Sequence, residues 1–336
     1  MTRSPRGPAP HQATLSRRRF AALAAALGAA ALPARADAAY PDRPVRIVVP
    51  FAPAGGTDII ARVMGEAMAR GLGQPVIVDN KPGAGTVIGN DFVAKSAPDG
   101  YTALLASFAF AVLPGVQQRL PYAGAGAFAP VVLIGRAPNV LLLNAAKPYR
   151  GVADLLAAAR KDPGGLTYAS FGNATSAHLA GALFAHLAGV ELTHVPYRGS
   201  GPALTDLLAG RVDMLFATAA TVAGATEGCR LRAVAVTTAG RSPAFPDLPT
   251  VTEAGVPGYA AEGWYGLYAP AGTSREAIER LNAAANQAVR TEAFGQRLAE
   301  EGLTIEGGPP ARLEEYVRGE EARWREVVRR ANITAD

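Results

Sequence analysis

One cysteine, Cys229, stands among 336 residues. That excludes an internal disulfide and any zinc or iron–sulfur site built from cysteines. Lysine is nearly absent too, four residues against 29 arginines, a bias of genome composition more than of chemistry. No Gly-Lys dipeptide occurs, so the chain carries no phosphate-binding P-loop, and no G-x-S-x-G marks a serine nucleophile. Gly83-Ala84-Gly85 lacks the third glycine of a dinucleotide fingerprint, because Gly89 stands one residue too far along. Beyond the N-terminal segment there are three histidines, His178, His186 and His194. The first two lie about 80° apart round a helix and make no metal-binding face. No base with an orienting partner is visible. No catalytic residue, cofactor or metal is therefore expected.

The excess of positive charge is local. Six of the 33 basic residues lie before residue 37, and all 28 acidic ones lie after residue 36. The remainder holds 27 basic residues against 28 acidic, so no nucleic-acid or membrane-surface role follows from charge. Ser16-Arg17-Arg18-Arg19-Phe20 precedes a mild apolar run from Ala21 to Leu32. The small-residue sites Ala34-Arg35-Ala36 and Ala36-Asp37-Ala38 follow. This is the anatomy of a cleaved secretory leader over residues 1–38, and the paired arginines favour the twin-arginine route. Twelve apolar residues span about 18 Å of helix, short of a roughly 30 Å hydrocarbon core. No later stretch reaches 18 apolar residues, so a soluble periplasmic protein is expected.

From residue 40 onward, short β-branched runs alternate with amphipathic stretches, the pattern of an α/β fold with mostly parallel sheets. Strands are expected at Val45–Val49, Val76–Val78, Tyr101–Ala106, Val140–Asn144, Leu166–Ser170, Leu192–Val195, Val212–Phe216 and Arg232–Thr237. Ile59, Ile60, Val63, Met64, Ala67 and Met68 form one helical face, with Thr57 as its N-cap and Asp58 at the positive end of the helix dipole. Helices are also expected over Val152–Lys161, Ser176–Ala188, Ala203–Ala209 and Ser274–Arg290, the last opened by a Thr-Ser-Arg-Glu capping box. Leu313, Tyr316, Val317, Trp324, Val327 and Val328 share a face in the tail. Breaks at Gly135-Arg136-Ala137-Pro138 and across Phe245–Tyr259 divide the chain. Residues 39–136 and 262–336 make domain 1, and residues 137–261 domain 2. Only helices are expected after Tyr268, and they pack back on domain 1.

Four Gly-rich turns join a strand to a helix: Ala54–Thr57, Gly83–Thr86, Phe171–Thr175 and Arg198–Gly201. Helix starts offer bare N–H groups and a positive dipole end, and glycine lets a ligand reach the main chain. In open sheets such turns gather where ligands bind. Other polar groups carry weaker signals. Asp58 and Asp213 are the carboxylates nearest strand edges, and Asp58 fits a helix-start role better than general-base work. Glu300-Glu301, Glu314-Glu315 and Glu320-Glu321 read as solvated helix faces, and Cys229 as a plain small residue.

The residues Val49–Asp58, Asn80–Gly85, Ala97–Thr102, His178–Gly181, His194–Gly199, Leu248–Val251 with Glu253-Ala254-Gly255, and Trp264–Pro270 occur in order from about residue 40 to the C-terminus. Together they resemble the tripartite tricarboxylate transporter receptors, also called the Bug (Bordetella uptake gene) extracytoplasmic solute receptors. The resemblance implies a two-domain periplasmic binding protein of the type II class. Such a protein binds a small carboxylate in the interdomain cleft and hands it to a small and a large membrane subunit, as a monomer and with no nucleic acid. Carried over by position, Phe51, Ala54, Gly55, Gly56, Thr57 and Asp58 form the first binding turn. Ser170, Gly172, Asn173, Ala174, Thr175 and His178 form the second. Ser107, Tyr197, Arg198 and Gly199 line the remaining wall. The family holds a carboxylate largely through backbone amides, hydroxyls and bridging water.

Two residues depart from the family pattern. Ala174 stands where a second glycine is common and implies a different turn if that glycine takes a positive φ. Phe171 replaces a small hydroxyl residue and would narrow the pocket or favour an aromatic ligand. Two other readings stay open: a ligand-sensing accessory of a membrane kinase or regulator, and an exported hydrolase or lyase using His178.

Overall fold

The structure, a computed structural model, describes residues 40–116, 119–219, 221–222, 230–299 and 302–330. The leader, Cys229 and Glu300-Glu301 lie outside the described residues. The elements run β1 (Val45–Val49), α1 (Gly56–Leu72), β2 (Val76–Asn80), α2 (Val87–Ala94), β3 (Thr102–Ser107), α3 (Phe108–Val116), β4 (Phe128–Asn144), α4 (Val152–Lys161), β5 (Thr167–Ser170) and α5 (Ser176–Ala188). They continue with β6 (Thr193–Pro196), α6 (Ser200–Leu208), β7 (Met214–Thr218), β8 (Leu231–Val236), β9 (Glu262–Pro270), α7 (Arg275–Val289), α8 (Glu292–Ala299), β10 (Thr304–Ile305) and α9 (Pro310–Arg330).

The α/β alternation expected from the sequence is present, and the sheet is mixed. Its path runs β2-β1-β3-β9-β4-β7-β5-β6, with β8 and β10 also paired to β4. The outer runs β2-β1-β3 and β7-β5-β6 are parallel. Every described pairing made by β4 or β9 is antiparallel, so the expectation of mostly parallel pairing holds only outside the middle. The cause is β4. Its first part pairs with β9 and its last part with β7 and β8. The Gly135–Pro138 stretch, read as a break, is continuous strand. Proline has no N–H to give a ladder, and Pro138 falls where β4 exchanges β9 for β7, so the missing donor costs no pairing. Two bulges lie upstream, between Pro130 and Val132 and between Leu133 and Gly135.

Helix faces follow the apolar spacing. In α1 the buried stripe is Ile60, Ala61, Met64, Gly65, Met68 and Leu72, rotated slightly from the expected face. Its N-cap is Gly55 with no side-chain cap, not Thr57. At α7 the cap is Ser274, whose Oγ accepts from the Ala277 N–H, so the Thr273–Glu276 box is not the one used. The tail also carries the short strand β10, which pairs with Arg136 and Gly135 of β4, so helices are not alone there. In α9, Leu313, Val317, Trp324 and Val328 are buried, with Tyr316 and Val327 packed beside them. Trp324 meets Phe108 edge to face at 4.7 Å, and Phe110 stacks on Tyr268 at 4.7 Å. The last helix thus locks onto the start of α3. No helix among the described residues is long and apolar enough to cross a membrane.

Trp324 is fully buried and its indole N–H donates to Glu320 at 2.9 Å. Trp324→Ala removes both the ring contacts and the bond. We expect chemical denaturation to show a loss of about 3–5 kcal/mol. A loss below about 1 kcal/mol would mean that α9 does not hold α3.

Candidate functional site

Four helix starts meet at one cavity of about 240 Å³. Phe51–Thr57 leads into α1, Ser107–Ala109 into α3, Thr175-Ser176 into α5 and Arg198–Pro202 into α6. Phe171, Thr218 and Gly263–Tyr265 complete the wall. The first four N–H groups of a helix have no intrahelical partner and carry the positive end of its dipole. At α5 one of them is satisfied, because Thr175 Oγ1 accepts from the His178 N–H. At α1 and α6 the N-caps are Gly55 and Gly199, and no side chain caps either helix. These two starts face each other: a methyl placed on Gly55 would lie 3.8 Å from Ser200 Oγ.

The wall's side chains continue this pattern. Arg198 is its one charged residue among those described, and no carboxylate lines it. Thr57, Ser107 and Ser200 make no side-chain hydrogen bond among the described residues. The cavity therefore presents donors and apolar surface, the surroundings in which an anion is stable.

Asp58, expected on the wall, lies behind it. It is 3% exposed. Its Oδ2 accepts from the Ala54 N–H and from Arg62 Nε, both at 2.9 Å, and its Oδ1 from Asn80 Nδ2 at 2.9 Å. Asn80 Nδ2 also donates to the Phe51 carbonyl at 3.1 Å. Burial pushes the Asp58 pKa up, but the hydrogen bonds from Arg62, the Ala54 amide and Asn80 outweigh it and hold it below the ordinary value. The carboxylate thus fixes the first turn and leaves that turn's outward amides free.

The second turn is held by histidines. His178 is buried, and its Nδ1 accepts the Ala174 N–H at 3.1 Å, so its proton sits on Nε2. Its ring stacks on His194 at 4.0 Å and 7°, and His194 stacks on Tyr168 at 4.9 Å. His194 Nε2 shares a hydrogen bond of 2.6 Å with Ser170 Oγ, which also accepts the Gly172 N–H at 3.2 Å. Burial lowers the His178 pKa to about 4. Burial, and then the neighbouring His178, lower that of His194 to about 3. Both rings are neutral at physiological pH.

Nine of the expected residues line the cavity: Phe51, Ala54, Gly55, Gly56, Thr57, Ser107, Thr175, Arg198 and Gly199. Asp58, Ser170 and His178 hold the turns from behind. Asn173, Ala174 and Tyr197 line a neighbouring cavity of about 360 Å³ that also touches Arg198. Gly172 lines neither cavity, and its carbonyl accepts from Thr175 Oγ1 at 2.7 Å. The different turn expected from Ala174 does not occur. Ala174 itself takes a positive φ of 61°, and its methyl is buried with Val87 and Leu113. Phe171 does line the cavity, as anticipated. Thr218 and Gly263–Tyr265 went unforeseen because they reach the cavity from strand ends remote in sequence, with no local turn signal. Among the described residues no three His, Cys, Asp or Glu side chains gather to hold a metal.

Comparison with known proteins gives consistent relatives. The profile of the family described as "Tripartite tricarboxylate transporter family receptor" matches residues 60–333. A protein from the tcbD-tcbE intergenic region of Pseudomonas sp. strain P51 is 41% identical over 329 residues, covering 97% of this chain and 98% of its own. Among solved structures, R. palustris Rpa4515 with adipate superposes with a TM-score of 0.84 at 36% identity, covering 88% of this chain and 99% of that one. MatC of Rhodopseudomonas palustris with bound malate gives 0.81 at 32%, covering 86% and 100%.

The histidine pair makes an acid-sensitivity prediction. Both groups bind protons more weakly folded than unfolded, so the stability they contribute is complete above about pH 6.5 and is lost as pH falls toward 4. Each contributes up to about 2 kcal/mol between pH 6.5 and 5. The melting temperature is expected to drop over that range, and His194→Gln to flatten the drop. An equally steep pH profile in the variant would remove this histidine from the account.

Proposed function

The chain belongs to the tripartite tricarboxylate transporter receptor family, and on that premise we propose that it is a periplasmic solute receptor. It captures a small organic carboxylate and delivers it to the membrane subunits of a tripartite tricarboxylate transporter. The fold is the mixed α/β fold of the periplasmic binding proteins it resembles. The observation that carries the reading is the pair of uncapped helix starts, α1 and α6, facing each other across a cavity without an acid. Similar proteins whose structures are described with adipate and with malate support the ligand class.

In this reading one carboxylate lies between the starts of α1 and α6. An ionised carboxylate offers about four lone-pair sites. The first-turn amides and the hydroxyls of Thr57, Ser107 and Ser200 supply donors of the right sign. A hydrogen bond to a charged group contributes roughly 1.5–3 kcal/mol, so two or three account for useful affinity without a buried salt bridge. Water can bridge where a donor stands back.

Residues 39–136 with 262–336 act as one domain and 137–261 as the other. The chain passes between them in β4 and between β8 and β9. Closing about those two segments buries the ligand. The twin-arginine leader over residues 1–38 supplies export to the periplasm. The protein acts as a monomer, without a cofactor, and performs no chemistry on what it binds.

Two measurements test this. Protein stripped of ligand by unfolding and refolding should melt higher in the presence of its carboxylate, by the equivalent of about 2.7 kcal/mol at a hundred times Kd. No shift with any member of a broad carboxylate panel contradicts the reading. Gly55 has an extended backbone (φ −87°, ψ 167°) that any residue adopts, so Gly55→Leu fills the gap toward Ser200 without backbone strain. Its melting temperature without ligand should stay near the parent's while the ligand-induced shift disappears. A leucine variant that still binds would place the ligand elsewhere.

A further inference from the structure

The cavity of about 360 Å³ beside the main one is lined by Ala84, Gly85 and Leu113 on one side and by Asn173, Ala174 and Tyr197 on the other. The first three belong to residues 39–136 and the others to residues 137–261, so two separate parts of the chain meet there. Their side chains touch. The Ala174 methyl is buried against Val87 at the start of α2 and Leu113 in α3, with Val116, Leu120 and Tyr122 packed round them. Ala174 and Leu113 are each 1% exposed. The main chains touch as well: a methyl placed on Gly85 would lie 3.1 Å from the Asn173 carbonyl oxygen. None of Val87, Leu113 and Ala174 lines the main cavity. Both sides of the contact carry strained backbone. Ala84, Gly85 and Thr86 follow one another at φ 48°, 60° and 85°, and Ala174 has φ 61°. A positive φ is uncommon outside glycine and an outlier for a β-branched residue such as Thr86. Such strain persists only where the surroundings fix it. Asn90 does so for Thr86, since its Nδ2 donates to Thr86 Oγ1 at 3.3 Å and to the Tyr122 hydroxyl at 3.1 Å. His178 does so for Ala174. Each surface is held in shape by partners from its own part of the chain.

We infer that Ala174 in the Val87–Leu113 socket is a latch that holds the two domains closed, and that it sets affinity without touching what is bound. The inference rests on the two-domain reading above and goes beyond it by naming the contact that closure makes. Opening about β4 and the β8–β9 segment withdraws the methyl and exposes Val87 and Leu113 to water, which the hydrophobic effect opposes. Latch and ligand site are adjacent. Thr175, which follows Ala174, lines the main cavity, and so do Phe108 and Ala109 at the start of the helix that bears Leu113. A ligand that draws these helix starts together seats the latch, and a seated latch brings them together for the ligand. Apparent affinity scales with the fraction of molecules already in the binding form. The latch raises that fraction for every ligand by one factor, whereas a residue in contact with the ligand discriminates between ligands.

The test reads domain separation and binding together, on the ligand-free mature protein. Spin labels at Ile77→Cys in one domain and Leu187→Cys in the other, both exposed positions, in a Cys229→Ser background, report the separation by electron–electron distance measurement. Two variants probe the latch. Ala174→Gly removes the methyl alone and relieves the positive φ in open and closed forms alike, so the fold is kept. Ala174→Asn keeps a residue that tolerates the left-handed region but brings a polar side chain to an apolar socket. The parent should populate the shorter of two distances, Ala174→Asn the longer, and Ala174→Gly a mixture. In calorimetric titration with adipate and with malate, Ala174→Gly should weaken both by one common factor, up to about fourfold for one buried methyl. Ala174→Asn should weaken both by about tenfold or more, again alike.

Identical distance distributions in the parent and both variants overturn the latch, and this measurement decides by itself where neither acid binds. Where a carboxylate that raises the melting temperature shortens the distance but neither variant lengthens it, the latch alone falls. Where such a carboxylate leaves the distance unchanged too, closure between the domains falls with it. Weakening of adipate and malate by unequal factors also overturns the inference, because it makes Ala174 a ligand contact.

Discussion

The backbone N–H groups at the starts of α1 and α6 have neither an intrahelical partner nor a side-chain acceptor. A donor left so inside a protein costs about 1–3 kcal/mol unless water or a ligand takes it. Most helices avoid that cost with Ser, Thr, Asp or Asn at the N-cap, where glycine instead gives up a few tenths of a kcal/mol. This chain places glycine at both caps and sets a hydroxyl one or two positions further on, at Thr57 and Ser200. The local loss of stability keeps the donors available. The sheet then fixes where they stand: α1 follows β1, next to one end of the strand order, and α6 follows β6, at the other end. The long strand β4 holds the two ends in one structure.

Keeping the wall free of negative charge is the second requirement. A carboxylate among those amides would act as a built-in ligand. Asp58 comes nearest to that role and is prevented by geometry: its oxygens turn back to the Ala54 amide, Arg62 and Asn80. Asp206 is occupied in the same way by Tyr197 and Arg211. The acids that neighbour the site thus organise its turns and do not compete for its donors.

Much of this was legible in residue order. Alternating β-branched and amphipathic runs announced the strands and helices, with Val45–Val49, Val152–Lys161 and Ser176–Ala188 matching the observed bounds. The four glycine turns announced where a ligand could meet bare amides, and three of them line the cavity. What stayed hidden depends on through-space partners. Gly135–Pro138, inside β4, reads as a break because it holds glycine and proline, and only the exchange of neighbours at Pro138 makes proline acceptable there. The antiparallel middle of the sheet is set by β4 and β9, which meet across more than a hundred residues. His178 and Ser170 carried the right residue types but not their direction. Both sit behind the turn because His194, from the next strand, stacks on one and bonds the other.

Two of the turns that line the cavity share one construction, reached by unrelated sequences. Each contains an alanine in the left-handed region, Ala54 at φ 67° and Ala174 at φ 61°. Such a backbone costs an ordinary residue about 1 kcal/mol or more. Each alanine gives its N–H to the side chain four residues on, at 2.9 Å to Asp58 and 3.1 Å to His178. The acceptor in each case is buried on the first turn of the helix that follows. The strained residue and its acceptor therefore hold each other: the bond offsets the strain, and the strain aims the outward amides at the cavity. The two acceptors differ in kind. Asp58 is a carboxylate tied to an arginine, which holds its pKa below the ordinary value. His178 accepts only while neutral, and a proton arriving at Nδ1 would remove the acceptor and set a cation 4.0 Å from the His194 ring. Of two turns built alike, one is held by a charged acceptor and the other by a neutral one, and the second is the turn that carries Phe171 and Thr175 into the cavity.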